Sequence, residues 1–98
     1  MCASGAQKSY LVECYWPGVS EPQLDLVLAR IRTAAHDLRR HGRQVELVGT
    51  ILVPVDETVF CLFDGRERDV RTASAQAGVP FGRVLESVRI DDRGRAAS

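Results

Sequence analysis

An α+β domain with the order strand, helix, strand, strand, helix, strand is the fold class this sequence predicts. Three observations predict it. A capped apolar stripe at helical spacing runs from Leu24 to Leu38. The stretch "QVELVGTILVPVDETVFCLF", from Gln44, is dense in valine, isoleucine and phenylalanine and is broken once, by a turn segment. A second, lighter helical pattern then separates it from the β-rich "RVLESVRI".

The first strand lies in "YLVECYWPGVSEPQL", Tyr10 to Leu24, and does not alternate cleanly. Tyr10, Val12, Cys14 and Trp16 fall on one face, and Leu11, Glu13 and Tyr15 on the other. Neither face is built for plain water, and a carboxylate stands in the second.

A helix follows from about Glu21 to His41. Ser20 is its N-cap, Gln23 completes a capping box, Pro22 is tolerated in the first turn, and Val19 staples to Leu24. Leu24, Val27, Leu28, Ile31, Ala35 and Leu38 form the packed stripe, with Asp25, Arg30, Arg32, Asp37 and Arg39 around it. Arg39, Arg40 and His41 oppose the negative end of the helix dipole, and Gly42 supplies the left-handed stop.

In the β-rich stretch, Val55 to Thr58 divides two strands of a hairpin, and Gly49 is expected at a bulge or bend. Val59 to Phe63 is apolar at every position, the pattern of a strand buried on both faces. Asp64 is expected to cap the second helix, with Glu67 at the third position. That helix carries the thin stripe Val70, Ala73, Ala77 and ends at Gly78 and Pro80. The last strand, Arg83 to Ile90, places Val84, Glu86, Val88 and Ile90 on one face.

This order is the split βαβ, or ferredoxin-like, pattern: a four-stranded antiparallel sheet with two helices on one face and the first and third strands in the middle. Those two strands are the ones that read as apolar on both sides. Each large apolar side chain left in water forgoes about 1.5 to 3 kcal/mol, so the helix-free face is expected to be covered. A second copy does this under a two-fold axis, and the expectation is a homodimer with any ligand cavity between the sheets.

Ninety-eight residues make one domain, at 9–91, between a disordered N-terminus at 1–8 and a disordered tail at 92–98. With 45% hydrophobic and 27% charged residues, the composition excludes a disordered chain, and no apolar run is long enough to span a membrane. Thirteen basic residues balance thirteen acidic ones, so the whole chain has no net field to draw nucleic acid or an anionic membrane. Five arginines between Arg30 and Arg43 read as a solvated helix face, without the interleaved aromatics that stacking on bases requires. Cys2, Cys14 and Cys61 are odd in number and lack a CxxC spacing, and no signal peptide is apparent, so a reducing cytoplasm is expected. Cys14 and Cys61 read as small buried hydrophobes.

Glu13 is the leading candidate residue, because a carboxylate in a central strand must be paired, hydrogen-bonded or wetted at a cavity mouth. Pairing with an arginine is the plainer reading. Convergence with Glu86 of the neighbouring last strand is the sharper one, since it would raise one carboxyl pKa and create an acid or base. Tyr15 and Trp16 stand where an aromatic lid over a pocket would be placed, although core packing explains them too. The ligand-binding candidates are therefore Glu13, Tyr15, Trp16 and Glu86. No phosphate loop and no Ser, His, Asp constellation is present.

Taken together, "YLVECYWPGVSEPQL", "ILVPVDETVFCLF" and "QAGVPFGRVLESV" resemble a family of small bacterial domains of unknown function whose best-understood type is an actinobacterial nickel-binding protein. The resemblance spans about Ser9 to Ile90; its most specific pieces are "DETVFCLF" and Ala77, Gly78, Pro80. It implies a ferredoxin-like dimer, with nickel or another divalent metal as cofactor. Nickel-binding members place histidines in the first strand and ahead of Ala-Gly-x-Pro, where this chain has Glu13, Cys14, Tyr15 and Ser74. Imidazole is the ligand nickel favours. His36 and His41, five apart on a helix, point about 140° from each other, so no metal-ligand set is assigned.

Two functions follow as expectations. The first is a noncatalytic dimeric binding domain holding a small ligand, metal ion or protein partner at its sheet face. The alternative is a cofactor-independent dimeric α+β barrel enzyme, a cyclase, isomerase or monooxygenase with Glu13 as acid or base and Tyr15 beside it. An enclosed cavity with an unpaired Glu13 would favour the enzyme, and Glu13 tied to arginine the binding domain.

Overall fold

The computed structural model describes residues 8–79, 82–88 and 90. The elements are β1 (Lys8–Tyr15), α1 (Glu21–Arg40), β2 (Val45–Val53), β3 (Thr58–Gly65), α2 (Glu67–Gln76) and β4 (Arg83–Val88), with a 3-10 turn at Pro54–Asp56. All neighbouring strands are antiparallel, in the order β2-β3-β1-β4, so the first and third strands occupy the middle. This is the ferredoxin-like α+β architecture that the element order predicts.

Local chemistry accounts for the ends of α1. Ser20 Oγ accepts from the Gln23 N–H at 3.4 Å while Gln23 Oε1 accepts from the Ser20 N–H at 3.2 Å, the reciprocal capping box. At the other end Gly42 adopts φ +80°, and the Arg43 N–H closes on the Leu38 carbonyl at 3.0 Å. Between them Leu24, Leu28, Ile31, Ala34, Ala35 and Leu38 are buried. They pack against Tyr10, Val12 and Cys14 of β1 and Val59, Cys61 and Phe63 of β3 in one core.

The β2 bulge has a definite purpose. Pairing with β3 slips between Leu47 and Gly49, so Val48 stands out of the ladder. Val45 and Leu47 face the helices before the slip; Thr50 and Leu52, opposite Cys61 and Val59, face them after it. Without the extra residue the second half of β2 would present the wrong face. The hairpin turn is closed by Glu57, left-handed at φ +51°; its carbonyl accepts from the Trp16 N–H at 2.8 Å and its carboxylate from the Gly18 N–H at 2.9 Å. The turn thereby holds the exit of β1.

Four expectations are corrected. Lys8, assigned to the disordered N-terminus, opens β1. Asp64 does not cap α2, because β3 runs on to Gly65 and the N-cap is Arg66, which makes no side-chain cap bond. The ladder with Ser9 holds Asp64 instead, and its Oδ1 accepts from Ser9 Oγ at 2.8 Å. Strand β3 is not buried on both faces in the single chain: Phe60 and Leu62 are only half-buried. The last strand ends at Val88, and Ile90 is exposed. Residues 1–7, Pro80 and 92–98, which carry Cys2, the expected Pro80 stop and the polar tail, lie outside the described residues.

Candidate functional site

The register decides which candidate residues meet. Residues directly opposite in an antiparallel ladder share a face, and Glu13 of β1 stands opposite Phe60 of β3 and Arg83 of β4. Leu11 stands opposite Leu62 and Leu85, while Ile51 of β2 flanks Phe60 and Tyr15 stands opposite Thr58. Since Val12, Cys14, Val59 and Cys61 point into the helix layer, these residues form the helix-free face. It carries an apolar band of half-buried Leu11, Phe60, Leu62 and Leu85, with Tyr15 63% and Ile51 62% exposed at its margin.

Within that band Arg83 Nε donates to Glu13 Oε1 at 2.7 Å, an ion pair inside one chain. The Gly82 N–H also reaches the Glu13 carbonyl at 2.7 Å, so the start of β4 is pinned beside the carboxylate. Sequence reading foresaw an arginine partner for Glu13. It could not name Arg83, because the β1–β4 register is set by contacts seventy residues apart.

The other candidates separate. Glu86 stands opposite Tyr10, on the helix side of the sheet, and its carboxylate lies 3.5 Å from Lys8 Nζ. Convergence with Glu13 is therefore overturned: the odd-numbered residues of β4 share Glu13's face and the even-numbered ones do not. Trp16 is partly buried against the core. Of the proposed aromatic lid, only Tyr15 lies at the open face.

Glu13, Cys14 and Tyr15, where the resemblance leads to an expectation of histidines, do not fit a nickel ion. Glu13 is committed to Arg83. Cys14 points the opposite way, buried in the core, where burial pushes its thiol up to about 12, with the neighbouring Cys61 and Glu13 adding to the rise. Cys61 is pushed by burial up to about 11, with the Thr50 hydrogen bond opposing. A thiol so far from its thiolate is a poor ligand at neutral pH. His36 and His41 are exposed on α1, with His41 Nδ1 donating to the Asp37 carbonyl at 2.9 Å. Among the described residues no three His, Cys, Asp or Glu side chains are grouped to hold a metal ion.

Ser74 is fully buried on α2, and its hydroxyl has no hydrogen-bond partner among the described residues. A buried hydroxyl without a partner costs stability. Ser74→Ala is expected to leave the unfolding free energy unchanged or raise it by up to about 1 kcal/mol in urea titration. A loss larger than that would mean the hydroxyl is satisfied in solution.

One cluster escaped the sequence reading. Asp69, 1% exposed, accepts from the Gln44 backbone N–H at 2.8 Å and from Arg43 Nε at 2.5 Å. Burial pushes its carboxyl up, but the Gln44 and Arg43 hydrogen bonds and the charges of Arg43 and Arg68 outweigh this and hold it below the usual carboxylate range. The available signal was an acidic residue in the first turn of α2, which reads equally well as a dipole partner.

No protein-family model and no curated protein matches the chain. Among solved structures the fold is similar to the crystal structure of SCO4226 from Streptomyces coelicolor A3(2), with a TM-score of 0.70 and 17% identity over 81% of this chain and 94% of that one. The likeness establishes the fold alone. No helix among the described residues is long and apolar enough to cross a membrane.

Proposed function

We propose that this chain is a noncatalytic, cytoplasmic binding domain of the small bacterial family it resembles, working as a dimer through its helix-free sheet face. The observation that carries the reading is the Glu13–Arg83 pair set in the band of Leu11, Phe60, Leu62 and Leu85. Internal pairing leaves this apolar band without net charge, so a second sheet can cover the band without stranding an ion. The same pairing supports a binding role over general acid-base catalysis, because Glu13 already has a partner. The ligand is a small molecule or protein partner held at the rim of the paired sheets beside Tyr15; nickel is disfavoured by the donor set. The two free cysteines buried in the core agree with a reducing compartment.

Sedimentation equilibrium or native mass spectrometry tests the dimer. The expected mass is twice 10.8 kDa. Ile51→Glu is placed on an exposed side chain so that the monomer still folds. Because the two-fold axis counts each change twice, the variant is expected to weaken association by about 100-fold or more, with an unchanged far-ultraviolet spectrum. A wild-type chain that stays monomeric at tens of micromolar would end the proposal.

A further inference from the structure

We propose that the end of the helix layer formed by residues 39–43 and 66–68 is a docking surface for an acidic, Asp/Glu-rich protein segment. The two stretches are distant in sequence, and the fold clamps them together through Arg43 on Asp69 and the Arg66 N–H on the Gln44 carbonyl, at 3.0 Å. Because the start of β2 pairs with the end of β3, Arg39, Arg40, His41 and Arg43 at the close of α1 lie at the same end of the sheet as Arg66 and Arg68 at the start of α2. All but Arg43 are exposed. Two of the nearby carboxylates are engaged, Asp69 with Arg43 and Glu67 with Arg71 at 2.9 Å, while the exposed Asp37 and Glu46 flank the arginines without an ion pair among the described residues. Arg40, Arg66 and Arg68 form no ion pair among the described residues.

A second observation separates this surface from an ordinary solvated helix face. Arg39 and Arg40 suit the negative end of α1, but Arg66 and Arg68 occupy the N-cap and second position of α2, at the positive end, where cations are unfavourable. Arg66 also supplies no cap bond where serine or aspartate would. Arg68 returns part of this cost through its charge on Asp69, but Arg66 breaks the local rule without a stabilising return, and such residues mark function. The arginine fork pairs with carboxylates in a bidentate way, which suits an acidic peptide. Nucleic acid is disfavoured because the chain has no net charge and these two stretches have no Phe, Tyr or Trp for bases to stack on.

Fluorescence anisotropy with labelled decaglutamate tests the proposal, with a 20-base-pair DNA duplex as the competing probe. The full chain is expected to bind the peptide saturably at low salt and to lose it as salt rises. Arg66→Ser/Arg68→Gln should weaken binding at least fivefold. Arg30→Gln/Arg32→Gln, an equal charge change in the middle of α1, should alter it less than twofold. Arg66→Ser alone should also melt a few degrees higher, since its new serine hydroxyl can cap α2 and one cation leaves the positive helix end. Absent peptide binding, equal loss in the α1 variant, tighter binding of the duplex, or a lower melting temperature for Arg66→Ser alone would each overturn the proposal.

Discussion

Gly65→Ala is expected to lower the melting temperature of the domain by roughly 15 °C. Gly65 has φ +134°, a region that L side chains rarely enter. A Cβ there would overlap the Gln44 carbonyl oxygen and lie 2.7 Å from its carbon and 2.9 Å from the Val45 Cα. All three are backbone atoms, so no side chain can swing aside; relief requires parting Val45 from Gly65 at the end of the β2–β3 ladder. Strained dihedrals of this kind cost about 1 to 3 kcal/mol, to which the overlap adds. The lower entropy of the unfolded alanine chain returns only about 0.4 to 1 kcal/mol. A net loss of about 3 kcal/mol is expected. Calorimetry of the variant beside Gly78→Ala checks it, because Gly78 also has positive φ but open space around its Cβ. Equal losses in the two variants would show that only the dihedral matters, and not the Gln44 contact.

Asp69→Asn is expected to cost about 2 to 3 kcal/mol, a figure reduced because the Arg43 side chain remains one-third exposed. Asparagine keeps the shape but offers one acceptor and one donor where the aspartate receives two donors, from Gln44 and Arg43. One donor must then face another. The pH dependence follows from the lowered carboxyl pKa. The folded protein holds Asp69 ionised to lower pH than the unfolded chain, whose value is near 3.8. The Asp69 contribution to stability is therefore fully present above that value and is lost as pH falls through the lower, folded one. Urea unfolding between pH 2 and 7 should show a shallower acid limb in the variant. An acid limb identical to wild type, or a variant as stable as wild type at pH 7, would remove Asp69 from the account.

These two positions explain why the functional surfaces were harder to read than the fold. Gly65 and Asp69 both act on Gln44, some twenty residues earlier in the chain, and nothing local in "DGRERD" reports that contact. The capping box at Ser20 and Gln23 and the left-handed stop at Gly42 were legible, because each is satisfied within a few residues of itself, and the bulge beside Gly49 was legible only through the glycine, since its slip is defined against β3. Asp64 shows the limit from the other side. It had the residue type and spacing of a helix cap, and a cross-strand neighbour, Ser9, took it instead. The same holds for Glu13: its need for an arginine could be argued from a carboxylate in a central strand, but Arg83 was chosen by the ladder.

By itself the sequence determined the element order and the apolar character of the sheet's second face, because hydrophobic periodicity and capping are short-range and each fixes its own segment, and the two middle strands followed from the usual pairing of that order. Only the tertiary structure decided that Glu13 meets Arg83, that Glu86 turns to the opposite face, and that arginines from α1 and α2 share one end of the molecule. A one-residue change of strand register reverses every side chain while leaving the local pattern intact, so these pairings exist only in the assembled sheet.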